Sequence, residues 1–533
     1  MRKLIPTFLS FIILLAACSG NQPTPTQEAA VAADAIANAD PLATYMPPTK
    51  VPGAADSTPT PDLSDQPYFF PTYTPLAVQA AVGESTPTSE ANTYTVEDND
   101  IWGTIADKLG VSVDDLLAAN NASEYDIIFP GDILQVPPKT SNGQNNGQSA
   151  IAGTVSDSPE YFKIVPDSEM VYGPLTARFD VAKFVESKGG YLNSYTQDVS
   201  DRTLTGAQIV DEVARDYSVS PRLLLAILEY RSGWVTKPEP DSQNADTMIA
   251  YFDDYHVGLY RQLMFTASLL NEGFYGWRTK QLTQLNLQDG AVFGPAFGTN
   301  AGTVGIQNFF AFIDESDTWK QDIGPTGLYT TFGTLFGDPF NYRVEPLLPP
   351  AYQQPALSLP FKAGEQWHFT GGPHSGWDNG SAWAAIDFAP PGEPLGCQTS
   401  DYWATAVASG VIARSDNGAV ILDLDGDGYE QTGWTVLYLH MAADGRVEVG
   451  KTVKEGDRIG HPSCEGGESM ASHLHIARRL NGVWIPAADP TAPMNFGGYQ
   501  LIADGQEYNG WLVQGDKKIE AQDGYLDGNI VTH

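Results

Sequence analysis

An aspartate stands inside an apolar run, Ala385-Ile386-Asp387-Phe388. A carboxylate on such a strand is costly to bury unless a cation or strong donors meet it, so the fold must bring partners to it. The same part of the chain offers His374, in Gly371-Gly372-Pro373-His374, and His473 and His475, in Ser472-His473-Leu474-His475. Two imidazoles and a carboxylate form a three-ligand set suited to zinc, with a fourth position left for water. An open zinc position is what a hydrolase needs, because water there loses a proton near neutral pH. His473 and His475 are two apart, so on a strand both project to one face and Leu474 to the other, toward the core. The series Trp434, Val436, Tyr438, His440 alternates in the same way and predicts that His440 closes one strand face.

Short strands are predicted at 383–388, 403–414, 419–424 and 434–440, separated by glycine and Asp-Gly turns, which reads as an antiparallel sheet. Residues 495–533 alternate too and are expected to add strands to the same domain. Asp423-Leu424-Asp425-Gly426-Asp427-Gly428 has the opening of a calcium loop, but the twelfth position is Trp434 and the flanks read as strands, so a hairpin turn is the better reading.

Within 357–500, several pieces fall in the order of a known family: Gly371-Gly372-Pro373-His374, Ile386-Asp387-Phe388-Ala389-Pro390-Pro391-Gly392, Ala408-Ser409-Gly410-Val411-Ile412, Leu437-Tyr438-Leu439-His440, and Gly467-Glu468-Ser469 through His473-Leu474-His475. The segment resembles the β-lytic and lysostaphin-like zinc metallopeptidases that cut peptidoglycan peptides. The resemblance implies Zn2+ held by His374, Asp387 and His475. It implies catalytic roles for His440 and His473, which orient or deprotonate the water and stabilise the tetrahedral intermediate. Many lysostaphin-like members place the aspartate four after the first histidine, where this chain has Asp378. The β-lytic spacing is longer, and Asp387, thirteen after His374, carries the family context Asp-Phe-Ala-Pro-Pro-Gly. Asp378 is expected to cap a turn. His368 and His461 read as structural, and His256 and His533 fit no pattern.

The chain begins with Arg2 and Lys3, then an apolar stretch over 4–15 that is too short for a comfortable span and fits a secretory signal. Leu15-Ala16-Ala17-Cys18, followed by Ser19-Gly20, resembles the bacterial lipoprotein cleavage box. That implies a signal peptide over 1–18, a lipid on Cys18 and anchorage to the outer face of a membrane. Cys397 and Cys464 then remain as a candidate pair or as two buried thiols. An extracytoplasmic address favours the disulfide, which by chain entropy alone is worth about 4 kcal/mol for a loop of about 66 residues.

Residues 19–92 are rich in Pro, Thr, Ala, Ser and Asp and read as a solvated tether. Residues 139–154 read as a second linker. Between them, 93–138 form a compact unit. Thr93-Tyr94-Thr95-Val96 alternates like a strand, Ile101, Ile105 and Leu109 share a helix face, and Ser112-Val113-Asp114-Asp115 resembles a capping box before a second helix. The closing stretch 127–137 turns and returns as a strand. With Tyr94-Thr95-Val96, Asn120-Asn121 and Pro130-Gly131-Asp132 in order, this β-α-α-β unit resembles a LysM domain, which implies binding of N-acetylglucosamine-containing glycans such as peptidoglycan.

Residues 155–350 read as an all-α domain. Ile209, Val210, Val213, Ala214 and Tyr217 make one apolar helix face, and Ser220-Pro221 suits the start of the helix 222–230. Ala226-Ile227-Leu228-Glu229-Tyr230-Arg231-Ser232-Gly233-Trp234 resembles the start of lysozyme-like lytic transglycosylases. Their catalytic glutamate precedes the serine, where this chain has Arg231, which is no general acid at neutral pH. The segment is therefore expected to be lysozyme-like in fold and non-catalytic.

The net charge of −36, from 65 acidic against 29 basic residues, excludes nucleic acid as a natural partner. The expected whole is a multidomain α+β protein: LysM unit, all-α middle domain, and mainly antiparallel-β peptidase domain over 357–533. It is expected to be a monomeric, lipid-anchored, extracytoplasmic zinc endopeptidase of the cell wall. The competing reading is a non-catalytic wall-binding scaffold or an activator of another hydrolase.

Overall fold

The computed structural model describes residues 93–96, 102–111, 113–120, 133–137, 162–240, 247–249, 251–296, 298–392 and 396–533. Cys18, Ile101, Ser112, Asn121 and Pro130-Gly131-Asp132 lie outside the described residues, so the lipid anchor and part of the LysM pattern are expectations from sequence alone. No helix among the described residues is long and apolar enough to cross a membrane.

The small unit has the expected order. Strands Thr93–Thr95 and Ile133–Gln135 pair antiparallel, with Tyr94 opposite Leu134, and the helices Trp102–Leu109 and Val113–Ala119 lie between them in sequence. Val96, Ile105, Ala106, Leu116, Leu117 and Leu134 form its core. Asn120 ties the second helix to the returning strand: its amide donates to Leu116 O and Gln135 O and accepts from Gln135 N. Three hydrogen bonds from one side chain explain why an asparagine suits this corner.

The middle region is helical, with two short two-stranded ladders, Thr196–Val199 with Arg202–Thr205 and Leu285–Asn286 with Val292–Phe293. The helix Gly206–Tyr217 opens on a capping box made by Thr205 and Gln208, and the apolar face read from the sequence is buried. Pro221 occupies the first turn of Pro221–Ser232. Ser220 does not cap that helix with its side chain but donates to the buried Glu169, which also takes Arg222. The longest helix, Leu259–Arg278, crosses Ala301–Ile313 at a glycine contact, where a Cβ on Gly273 would fall 2.8 Å from Gly305 Cα. Only glycines permit that approach.

From 357 the chain builds a nine-stranded antiparallel sheet whose central strands, in order, are Gly410–Asp416, Ala419–Asp423, Trp434–Leu439, Leu474–Leu480, Ala385–Ala389 and Trp367–His374. The strand expected over 403–414 is broken: Ala404–Thr405 pairs elsewhere, with Arg458–Gly460. Ile386, Phe388, Ile412, Val420, Leu422, Val436, Tyr438, Leu474 and Ile476 face one way into the core. Alternation sends Asp387, Ile421, Leu437, His475 and Ala477 to the opposite face. Asn495–Phe496, Tyr499–Ile502, Trp511–Gln514 and Lys517–Glu520 make a second, four-stranded sheet, and Ile530–Val531 returns to pair with Trp367–His374.

The second face of the large sheet is where the helical lobe docks. Arg414 pairs with the buried Asp216, Arg479 donates to Ser218 Oγ (3.3 Å), and Ser218 Oγ donates to Gly482 O (2.6 Å). Arg479 and Arg414 also share Glu430. Burial pushes the Asp216 carboxyl up to about 7, against the pull of Arg414. Charges removed from water in this way must be paired, and the pairing fixes the lobe on the sheet.

Candidate metal centre

Sheet register assembles the site. His475 lies directly across from Asp387 in one ladder and from Leu439 in the next, and Gly371 lies across from Asp387 on its other side. The glycine is required: a Cβ at Gly371 would fall 2.4 Å from Asp387 Oδ2. His374 ends its strand opposite Ala385. His473 sits just before the strand Leu474–Leu480, bridged to Ser463, and shares the Asp387 face while Leu474 enters the core.

His440 reaches the site by a route the alternation did not predict. Strand periodicity assigns it to the face of Val436 and Tyr438, which is the core. Its φ of +65° turns it into the left-handed region instead, and its ring lies 4.5 Å from His473 and 6.1 Å from His475, centroid to centroid. A non-glycine residue in that conformation is uncommon and marks a local constraint.

The inner atoms converge tightly. His374 Nε2 is 2.9 Å from His475 Nδ1 and 3.3 Å from Asp387 Oδ1, and His475 Nδ1 is 3.5 Å from the same oxygen. Tetrahedral zinc with bonds of about 2.0–2.1 Å holds its ligand atoms about 3.3 Å apart. The outer nitrogens face backbone carbonyls, which can only accept: His374 Nδ1 donates to Gly372 O (2.8 Å), His475 Nε2 to Gly376 O (3.1 Å), His473 Nδ1 to Ala471 O (2.8 Å) and His440 Nδ1 to Glu465 O (3.1 Å). Neutral rings held this way turn their lone pairs inward. Asp387 Oδ1 is buried and has no hydrogen-bond partner. A buried carboxylate oxygen facing two imidazole lone pairs is a donor set that a cation satisfies and a hydrogen-bonded core does not.

Asp387 draws positive charge to itself, and without a cation the histidines supply it: burial alone would raise the Asp387 pKa, but positive charge on His374 and His473 outweighs it and holds the carboxyl well below its ordinary range. Burial, then the neighbouring His473 and His475, push His440 well below the usual histidine value, and burial leads the lowering of His475. On His374 burial opposes the charge, yet Asp387 outweighs it and raises the pKa.

The other candidates fall into place around this centre. Asp378 is outside the converging group; it accepts from Tyr217 Oη (2.5 Å) and from Asn379 N (2.7 Å), as a turn residue does. Cys397 and Cys464 form a disulfide. It lies beside both approach loops: Glu465 carries the carbonyl that fixes His440, and Ser472 N donates to Gly396 O (2.7 Å) just before His473. Asp423, Asp425 and Asp427 gather in the connection between Ala419–Asp423 and Trp434–Leu439, with Asp423 accepting from Asp425, Gly426 and Gly428 N as a turn would. His368 bonds Asn529, His461 bonds Tyr402 O, His256 pairs with Asp253, and His533 bonds Phe361 O. Arg231 is committed to Asp314 (3.1 Å) and Asp322 (3.4 Å), and Glu229 is turned away to accept from Val235 N and Thr236 N. Sequence reasoning missed Tyr508, whose ring stacks on His374 at 4.4 Å and 14°; it sits in a loop with no periodicity to betray it.

Residues 94–137 match the family described as the LysM domain, and residues 163–350 match the family described as LasA, N-terminal domain. The latter is a different family from the transglycosylases that the motif around Arg231 resembles. No curated protein matches the chain. Among solved structures, the chain is similar to pseudoalterin, a metalloprotease from the deep sea (22% identity, 32% of this chain and 98% of that one, TM-score 0.27). It is similar to a zinc-containing peptidase of Vibrio cholerae (18% identity, 26% of this chain and 41% of that one, TM-score 0.20). It is also similar to the catalytic domain of lysostaphin, an antimicrobial peptidase of Staphylococcus simulans (26% identity, 23% of this chain and 87% of that one, TM-score 0.16).

Proposed function

We propose that the chain is a zinc-dependent endopeptidase that hydrolyses peptide bonds in the stem or cross-bridge peptides of peptidoglycan and is held on the glycan by its LysM domain. The observation that carries the reading is the unpartnered, buried Asp387 Oδ1 facing the inward nitrogens of His374 and His475. These three residues would hold the metal. Zinc in that position would supply a Lewis acid and bring a water's pKa down toward neutrality. His473, with a side chain 20% exposed and Nε2 3.6 Å from Asp387 Oδ1, is placed to take the water's proton and return it to the leaving amine. His440 is deeper, and its buried ring resists protonation, so it orients the water as a hydrogen-bond acceptor.

The boundaries 93–138, 155–350 and 357–533 serve as the working domain division, and the helical domain is read as non-catalytic because Arg231 is held in an ion network. The disulfide and the LysM match support an extracytoplasmic address; the cleavage box at Cys18 extends that to a lipid-anchored monomer. Purified protein incubated with peptidoglycan, with and without chelator, tests the reading. New amino termini that vanish with chelator and return with zinc are expected. Intact peptides would favour a wall-binding scaffold, and anhydro-sugars a transglycosylase.

A further inference from the structure

The loop between His374 and Asp387 is gripped from the helical lobe. Tyr217 donates to Asp378, and Gly380 approaches the helix Leu259–Arg278 so closely that an added Cβ would fall 2.2 Å from Ser268 O. Trp484, whose ring lies under Gly376, donates its backbone N–H to Tyr275 Oη at 3.0 Å. Where this helix, this loop and the segment 503–507 meet, a cleft of about 760 Å3 opens. One wall is helical and includes Glu272 and Tyr275; the other includes Pro373 and Ser375, the chain neighbours of His374, and Glu507, the neighbour of the Tyr508 that stacks on His374. Both charged residues in the lining are acidic, and among the described residues no lysine or arginine lines it. The volume falls in the range of ordinary ligand sites.

We infer that this cleft is a substrate subsite that receives a peptide arm bearing a free ammonium group, with the helical lobe as one wall and Glu272 and Glu507 as the counter-charges. The inference rests on the endopeptidase reading above and adds its substrate class. It also gives the helical lobe a function: a fixed half of the binding cleft, anchored by Tyr217, in place of a spacer between the wall-binding and hydrolytic parts. An anionic arm would meet two carboxylates here and, among the described residues, no lysine or arginine in the lining, so the cleft discriminates by charge as well as by shape.

The test uses the full zinc-supplied chain on two preparations of peptidoglycan, one with its free amino groups intact and one N-acetylated, scored by the new amino termini each yields per unit time. The wild type is expected to cut the acetylated material about two- to fivefold more slowly, the scale of exposed ion pairs. The Glu272→Gln, Glu507→Gln double variant is expected to cut both alike. Both positions are exposed, so folding is not at risk. Equal rates for the wild type, or discrimination that survives in the double variant, would overturn the subsite. A general charge effect of the anionic chain survives the substitutions and is thereby told apart. Failure of the wild type to cut either preparation would instead remove the endopeptidase reading, and the subsite with it.

Discussion

At the scale of single residues, the account turns on atoms that face inward. Each of four imidazoles spends one nitrogen on a backbone carbonyl and presents the other to Asp387 or its surroundings. On the proposed assignment, His473→Ala removes a proton carrier but no metal ligand. Zinc content is therefore expected to stay at the wild-type level while kcat falls about 10²–10⁴-fold; undiminished turnover in that variant would strip His473 of its role. The convergence of Asp387, His473 and His475 was legible in the sequence because period-two spacing and family context coincide there, and His374 and His440 were legible from family context alone. The conformation of His440 was not, since a positive φ leaves no trace in an alternating pattern. Nor was Tyr508, which a loop carries to His374.

Elements explain how those residues are held. Three central strands bring Gly371, Asp387 and His475 into line by register alone, so this part of the site follows from the hydrophobic alternation that also makes the core. The loop 375–384 has no such pattern, and its placement depends on the helical lobe. Removing the Tyr217 hydroxyl in Tyr217→Phe deletes its bond to Asp378, with an expected loss of about 1 kcal/mol in unfolding free energy. Because Gly376 in that loop orients His475, zinc affinity measured by competition with a chelator should weaken severalfold as well; unchanged affinity would make the contact merely structural. Within the helical lobe, burial and then the charge of Asp167 push Glu345 up to about 7. A carboxyl raised in the folded state contributes stability that is full below about pH 4.5 and is lost as pH rises through 7. Melting temperatures of wild type and Glu345→Gln should therefore diverge over that window, the variant lacking this downward slope.

The whole molecule joins a LysM unit, a helical lobe and a large antiparallel sheet on one chain. The LysM unit, matched over 94–137, was readable because its strands and helices are short and strongly patterned. The docking of the helical lobe was not readable: Arg414 with Asp216 and Arg479 with Ser218 join positions far apart in sequence, with no local signal to predict their meeting. If the LysM unit serves as an anchor, deleting 93–138 should lower the rate on intact sacculi about tenfold or more and leave the rate on soluble muropeptides unchanged, as loss of an effective-concentration advantage requires. Equal loss on both substrates would mean that the unit supports the fold instead. The central claim, that His374, Asp387 and His475 hold one catalytic zinc, is met most directly by elemental analysis of purified protein after zinc supply and dialysis. About one zinc per chain in the wild type and in Asp378→Ala, with none in Asp387→Ala, is the expected result. Zinc retained in Asp387→Ala and lost in Asp378→Ala, or absent from folded wild type, would contradict it.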